Sequence, residues 1–98
     1  MALAWPFKDS NEVLDYVIDW ADRVPAGDVI TASTWEFAEP FSESPPDLNM
    51  DSDEFTSPTT TVWLSAGTIG AVYYLTNRVT TQDGRTMDQT VKIKIKEK

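Results

Sequence analysis

The stretch "TMDQTVKIKIKEK", residues 86–98, constrains the fold more than any other part of the chain. Met87, Gln89, Val91, Ile93 and Ile95 recur at every second position, and Asp88, Thr90, Lys92, Lys94 and Lys96 fill the positions between. Successive side chains of a strand point to opposite faces, so a period of two marks a strand with one face buried and one in water. Ahead of it, "QDGR" (Gln82 to Arg85) carries an Asp-Gly pair, which supplies the positive φ angles of a tight hairpin turn. "VYYLTNRVTT" then alternates again, with Tyr73, Leu75 and Val79 on one side and Tyr74, Thr76 and Arg78 on the other. The C-terminal third reads as one long antiparallel hairpin.

Strand signals continue upstream. "TTTVWLS" sets Thr60, Val62 and Leu64 against Thr61 and Trp63, and ends at the glycine-bearing turn "SAGTIG". In "GDVITASTWEF" the apolar positions change parity between Ile30–Ala32 and Trp35–Phe37, which predicts a bulge or bend. The acidic, proline-rich stretch 40–58 predicts loops with short strands around Leu48–Met50 and Phe55. "EVLDYVIDWADRV" supports two readings. Leu14, Tyr16, Ile18 and Trp20 alternate with Asp15, Val17 and Asp19 as in a strand, whereas Asp9 with Glu12 could form a helical capping box ahead of a Leu14, Val17, Ile18, Ala21 stripe. The strand is preferred because the rest of the chain is β. The sum is an all-β, immunoglobulin-like antiparallel β-sandwich of about seven strands, with turn signals roughly every 8–12 residues. Tyr73, shortly after a glycine turn and two residues before the inward Leu75, is the candidate tyrosine corner of such a fold. The expected organisation is an N-terminal arm over residues 1–8 and a sandwich domain over residues 9–98.

Composition excludes several functions. Ninety-eight residues suffice for one domain with a modest core. There is no cysteine and no histidine, so a Ser-His-Asp triad, a disulfide framework and an ordinary zinc site are all impossible. No apolar run reaches the roughly 20 residues of a membrane span. "MALAWPFKDS" lacks the basic start and long apolar core of a secretory signal, so synthesis in a cytoplasm without standard export is expected. The net charge of −8 argues against a nucleic-acid footprint. That charge is uneven: residues 1–56 hold 13 acids and 2 bases, residues 57–98 hold 3 acids and 6 bases. If the first strand runs parallel to the last, Asp15 and Asp19 would face Lys92, Lys94 and Lys96, and the two halves would neutralise each other internally. The lysines also read as protection of an open sheet edge.

Candidate chemistry is sparse. Asp51, Asp53 and Glu54 are hard oxygen donors, but they lack the mid-loop glycine and distal glutamate of an EF-hand loop, so a solvated acidic loop is expected. Asp15 and Asp19 could be read as a carboxylate pair of the glycosidase kind, with no pocket signal to support it. No catalytic, cofactor-binding or metal residue is therefore expected. Trp20 and Trp35 are expected in the core. Trp5 and Phe7 precede any complete element, and Trp63 alternates away from Val62 and Leu64. These three aromatics are the candidate interface residues, with Trp5 and Phe7 anchoring the arm on a neighbouring subunit or partner.

The motifs "LDYVIDW", "GDVITASTW", "TTTVWLSAGTIG" and "YYLTNRVTTQDGRTMDQTVKIKIK" resemble a small protein family found beside the capsid and neck genes of tailed bacteriophages, whose members are labelled fibre–tail adaptor or head–tail region proteins. The resemblance runs from about Lys8 to Lys96, most specifically in Leu75-Thr76-Asn77-Arg78 and Gly84-Arg85-Thr86-Met87. It implies a non-enzymatic virion component present in several copies, docking at the head–tail neck or tail and contacting neck, tail, fibre or capsid proteins. It implies no nucleic-acid or membrane partner. A capsid decoration protein and a carbohydrate- or surface-binding module using exposed tryptophans are the alternatives.

Overall fold

The computed structural model describes residues 3–6, 8–38, 47–56 and 58–97. Its elements are β1 (Leu3–Ala4), β2 (Leu14–Asp19), β3 (Ile30–Ala38), β4 (Leu48–Phe55), β5 (Thr59–Ala66), β6 (Val72–Thr81) and β7 (Thr86–Lys94), with no helix among the described residues. The longer strands form two three-stranded antiparallel sheets, β2-β5-β4 and β3-β6-β7, and the two-residue β1 joins the outer side of β7 in parallel at Val91 and Lys92. Both sheets contribute to one core. Tyr16, Ile18, Val62 and Leu64 come from the first sheet and Tyr73, Leu75, Val79, Val91 and Ile93 from the second, as in a β-sandwich.

The alternation in the C-terminal third is realised along β6 and β7, where Val91, Ile93, Leu75 and Val79 are fully buried and Lys92, Lys94 and Arg78 are exposed. The two strands pair from Val72–Lys94 to Thr80–Thr86 without interruption. Their connection is less tight than an Asp-Gly pair suggests. Gly84 has φ +91°, but Asp83 does not share a positive φ, because Ala66 is the lone non-glycine with one among the described residues. A two-residue type I′ loop needs positive φ at both central positions. Instead, the Gly84 N–H donates to the Thr81 carbonyl (3.0 Å) and the Thr81 N–H to the Arg85 carbonyl (2.9 Å), giving a wider loop with Gly84 at its left-handed position.

The bulge expected in β3 lies earlier than the parity change between Ala32 and Trp35: the register against β6 shifts between Ile30 and Ala32, so Ile30 is buried and Ala32 exposed. β4 carries a similar shift between Met50 and Ser52. The two short strands expected in the acidic stretch are thus one bulged strand of eight residues. Residues 14–19 are strand, with Tyr16 and Ile18 inward. The capping-box contact nevertheless exists: the Asp9 N–H donates to Glu12 Oε1 (2.8 Å), and the Glu12 N–H to the Asp9 carbonyl (3.1 Å). It closes a turn that leads into a strand, because the residues that follow bury every second side chain.

One expectation about the N-terminal region is corrected. β2 does not lie beside β7. It pairs with β5 in the opposite sheet, so Asp15 faces Trp63 and Asp19 faces Thr59, and the aspartates are separated from the lysines by the core. The segment that runs parallel to β7 is β1 and its continuation, through Trp5 N–H to the Lys92 carbonyl (2.9 Å), Lys8 N–H to the Lys94 carbonyl (3.1 Å) and Lys96 N–H to the Lys8 carbonyl (2.8 Å). Trp5, the expected anchor on a neighbouring subunit, makes contacts within its own chain. It stacks on Tyr16 at 4.7 Å and tilts against Trp35 at 5.9 Å, touching one ring from each sheet of its own chain. Phe7, the other expected anchor, lies outside the described residues.

The turn from β5 to β6 is dictated by backbone geometry. Ala66 (φ +60°) and Gly67 (φ +104°) both take left-handed conformations. A Cβ on Gly67 would lie 2.8 Å from Cγ1 of the buried Ile95, so glycine is needed there for both angle and space. The Tyr73 hydroxyl accepts the Thr68 N–H across this turn at 3.0 Å.

Candidate functional site

Buried polar side chains fasten three parts of the fold: Asn77 and Lys8 reach across the layers, and Asp28 ties the start of β3 to the β6–β7 loop. Asn77, fully buried on β6 between the inward Leu75 and Val79, reaches both sheets. Its Oδ1 accepts the Thr60 hydroxyl (2.6 Å) and the Trp20 indole N–H (3.2 Å), while its amide donates to Ser33 Oγ and the Thr34 carbonyl, both at 2.9 Å. The Trp20 N–H is shared with Thr60 Oγ1 at 3.1 Å. Lys8 is fully buried, and its Nζ donates to the carbonyls of Asp9 (2.8 Å) and Ala66 (2.7 Å). Asp28 precedes β3 and accepts the N–H groups of Val29 (2.9 Å) and Asp83 (3.1 Å) and the Arg85 guanidinium (2.8 Å). This ion pair joins the acidic half of the chain to the basic one.

Burial pushes the Asp28 carboxyl up. Hydrogen bonds from the Thr81 hydroxyl, the Asp83 N–H, Arg85 and the Val29 N–H outweigh it and leave the group below its ordinary range. A depressed carboxylate contributes stability above its unfolded pKa, near 3.9, and loses it as pH falls through the folded value. The urea midpoint should therefore drop as the pH falls below about 4, and Asp28→Asn should flatten part of that drop. An unchanged pH profile in the variant would refute the assignment. Asp88 is held low by its hydrogen bond to Arg78, and some acid sensitivity remains through that pair. Burial, with Glu12 nearby, pushes the Tyr16 hydroxyl up to about 12.

Asp15 and Asp19 project from the same side of β2 four residues apart, about 13 Å at strand rise. Glycosidase carboxylates stand roughly 5–9.5 Å apart. A groove of about 350 Å³ opens between the edge strands β3 and β4, lined by Ser33, Thr34, Trp35, Met50, Ser52, Asp53 and Val62. Asp53 alone among these is ionisable, so the groove holds no acid–base pair. Within the acidic stretch Leu48–Phe55 is strand, which splits Asp51, Asp53 and Glu54 between directions; Asp51 accepts the Ser65 hydroxyl (3.0 Å) at the bulge. Among the described residues no group of three or more His, Cys, Asp or Glu side chains is placed to hold a metal ion.

What remains exposed is apolar and aromatic surface. Trp63 stands on the outer face of β2-β5-β4, 37% exposed, with Val17 at 47%. Trp20 is buried as expected, whereas Trp35 is only partly so. Sequence reading missed Asn77, Lys8 and Asp28. An asparagine at an inward position of a strand was a visible signal for the first; nothing in the pattern marked Lys8.

The family model for the podophage GP4 fiber-tail adaptor protein gp77 matches residues 8–94. The chain belongs to this family. The matched span starts at the buried Lys8 and ends at the last residue of β7, so it takes in both three-stranded sheets and the whole of the Asn77 network. No curated protein matches the chain.

Proposed function

We propose that this chain is a non-enzymatic structural component of a tailed-phage virion, an adaptor module that docks at the head–tail neck or tail region and links fibres or other virion proteins. The family match over residues 8–94 carries this reading. The module is immunoglobulin-like. Its strand order, β1-β7-β6-β3 against β2-β5-β4, supports this, as does the Tyr73 hydroxyl accepting the Thr68 N–H in the manner of a tyrosine corner. Trp63 is the interface residue best presented for a partner, since Trp5 is engaged within its own chain. Several copies act together in the particle, after synthesis in the host cytoplasm.

Quantitative mass spectrometry of purified virions tests the proposal. The chain is expected in a fixed ratio to the tail proteins, and an antibody label is expected at the neck or tail. A label spread over the capsid would make it a decoration protein instead. Absence from particles together with glycan binding by the purified chain would overturn the adaptor reading.

A further inference from the structure

The outer faces of the two sheets differ in charge: the β2-β5-β4 face carries exposed carboxylates, while the other face carries Lys92 and Lys94 along β7, the mutually paired Arg78 and Asp88, and Glu36 further off on β3. On β2-β5-β4, Asp15 lies opposite Trp63, which lies opposite Ser52; one row along, Val17 lies opposite Thr61, which lies opposite Glu54. Trp63 and Val17 thus form an apolar centre with Asp15, Asp19 and Glu54 around it, all three exposed. On the other sheet, Tyr74 lies opposite Lys92 and Val72 opposite Lys94, so half-buried apolar side chains sit beside exposed ammonium groups. Ion pairs among the described residues engage Arg78, Arg85, Asp28, Asp83 and Asp88, and none of Asp15, Asp19, Glu54, Lys92 or Lys94.

The two faces cannot meet within one chain, because two sheets packed about 10 Å apart separate them. They can meet between chains stacked along the sheet normal. We infer that the Trp63–Val17 face of one copy docks on the Lys92–Lys94 face of a second copy. The contact is heterologous, since placing either face against its own equivalent sets like charges together. Three strands of six residues give a footprint of about 300 Å², well below the roughly 800 Å² per partner of stable complexes. Free chains therefore associate weakly, and the contact becomes effective when a scaffold holds copies side by side. This inference does not depend on the adaptor reading, because it concerns the purified chain.

Sedimentation equilibrium of the full chain tests it at about 10 mM and about 1 M salt, where the screening length changes from roughly 30 to 3 Å. The average mass is expected to rise with concentration at low salt and to stay monomeric at high salt. Asp15→Asn with Asp19→Asn should lower the association constant at least about tenfold, as should Lys92→Gln with Lys94→Gln, with melting curves close to the parent's. An equimolar mixture of the two variants retains one intact pair of faces, so it should form dimers and nothing larger. A chain monomeric at every concentration in low salt overturns the inference. So does association that survives both variants, or a mixture that fails to dimerise while each variant stays folded.

Discussion

Asn77→Ala is expected to destabilise the domain by about 3 kcal/mol, a large share of the 5–15 kcal/mol that holds a domain of this size together. The estimate follows from what the side chain satisfies. Its amide donates to Ser33 Oγ and the Thr34 carbonyl, and its carbonyl oxygen accepts from Thr60 and Trp20. Truncation strands these partners in a region where Thr60 is fully buried and Trp20 nearly so, and each buried group left unpaired costs about 1–3 kcal/mol. Thr60 and Trp20 still hold each other at 3.1 Å, so the sum stays near the lower end. A domain of this length loses about 4–8 °C of melting temperature per kcal/mol, which predicts a drop on the order of 15 °C. Thr76→Ala, one residue away, removes only a partly buried hydroxyl pair with Thr90 and should cost under about 1 kcal/mol. Equal, small losses for the two variants in urea titrations would show that the network is not what ties the sheets together.

The same residue shows what a sequence can and cannot disclose. Period-two alternation identified β2, β5, β6 and β7 and the inward side chains on each, because burial of one face imposes that pattern directly. It also signalled a bulge in β3, though later in the strand than it lies, since an extra residue inverts parity. Alternation reports which way a side chain points. It does not report which strand lies alongside. Asp15 and Asp19 were legible as outward residues of β2, but their neighbour is β5 and not β7. The true neighbour of β7 on that side, Leu3–Ala4, is two residues long and has no periodicity to read. The contacts of Trp5 within its own chain were not legible for a related reason. The segment around it buries nothing as an isolated piece, and its partners Tyr16 and Trp35 come from two different sheets. Trp63 was legible as an outward residue because exposure of an aromatic on the outer face follows from parity alone.

Lys8 was the residue least visible in the sequence, and changing it should be the most damaging single charge reversal in the chain. Its side chain is fully buried, and its ammonium group bridges the Asp9 and Ala66 carbonyls at 2.8 and 2.7 Å. It thereby ties the N-terminal segment to the β5–β6 turn, where Ala66 already holds a left-handed backbone. Two opposing terms decide the outcome of substitution. Removing a buried ammonium relieves its desolvation cost, while the Ala66 carbonyl loses its ammonium donor and the Asp9 carbonyl keeps only the Glu12 N–H. Methionine keeps the length of the stem and removes the charge, so Lys8→Met should cost about 2 kcal/mol, the balance of relief against two lost charge-assisted bonds. Lys8→Glu has no relieving term. It sets a carboxylate against two carbonyl oxygens in a buried site, and a loss of at least about 4 kcal/mol is expected, enough to unfold much of the population at 37 °C. Hydrogen exchange separates a local from a global effect. In Lys8→Met the Trp5 and Lys96 amides, which bond Lys92 and Lys8 across the β1–β7 seam, should exchange faster, while the amides of β5 keep their protection. If Lys8→Met exchanged like the parent at Trp5 and Lys96, and Lys8→Glu stayed within about 1 kcal/mol of it, the buried ammonium would have no part in fastening the N-terminal segment.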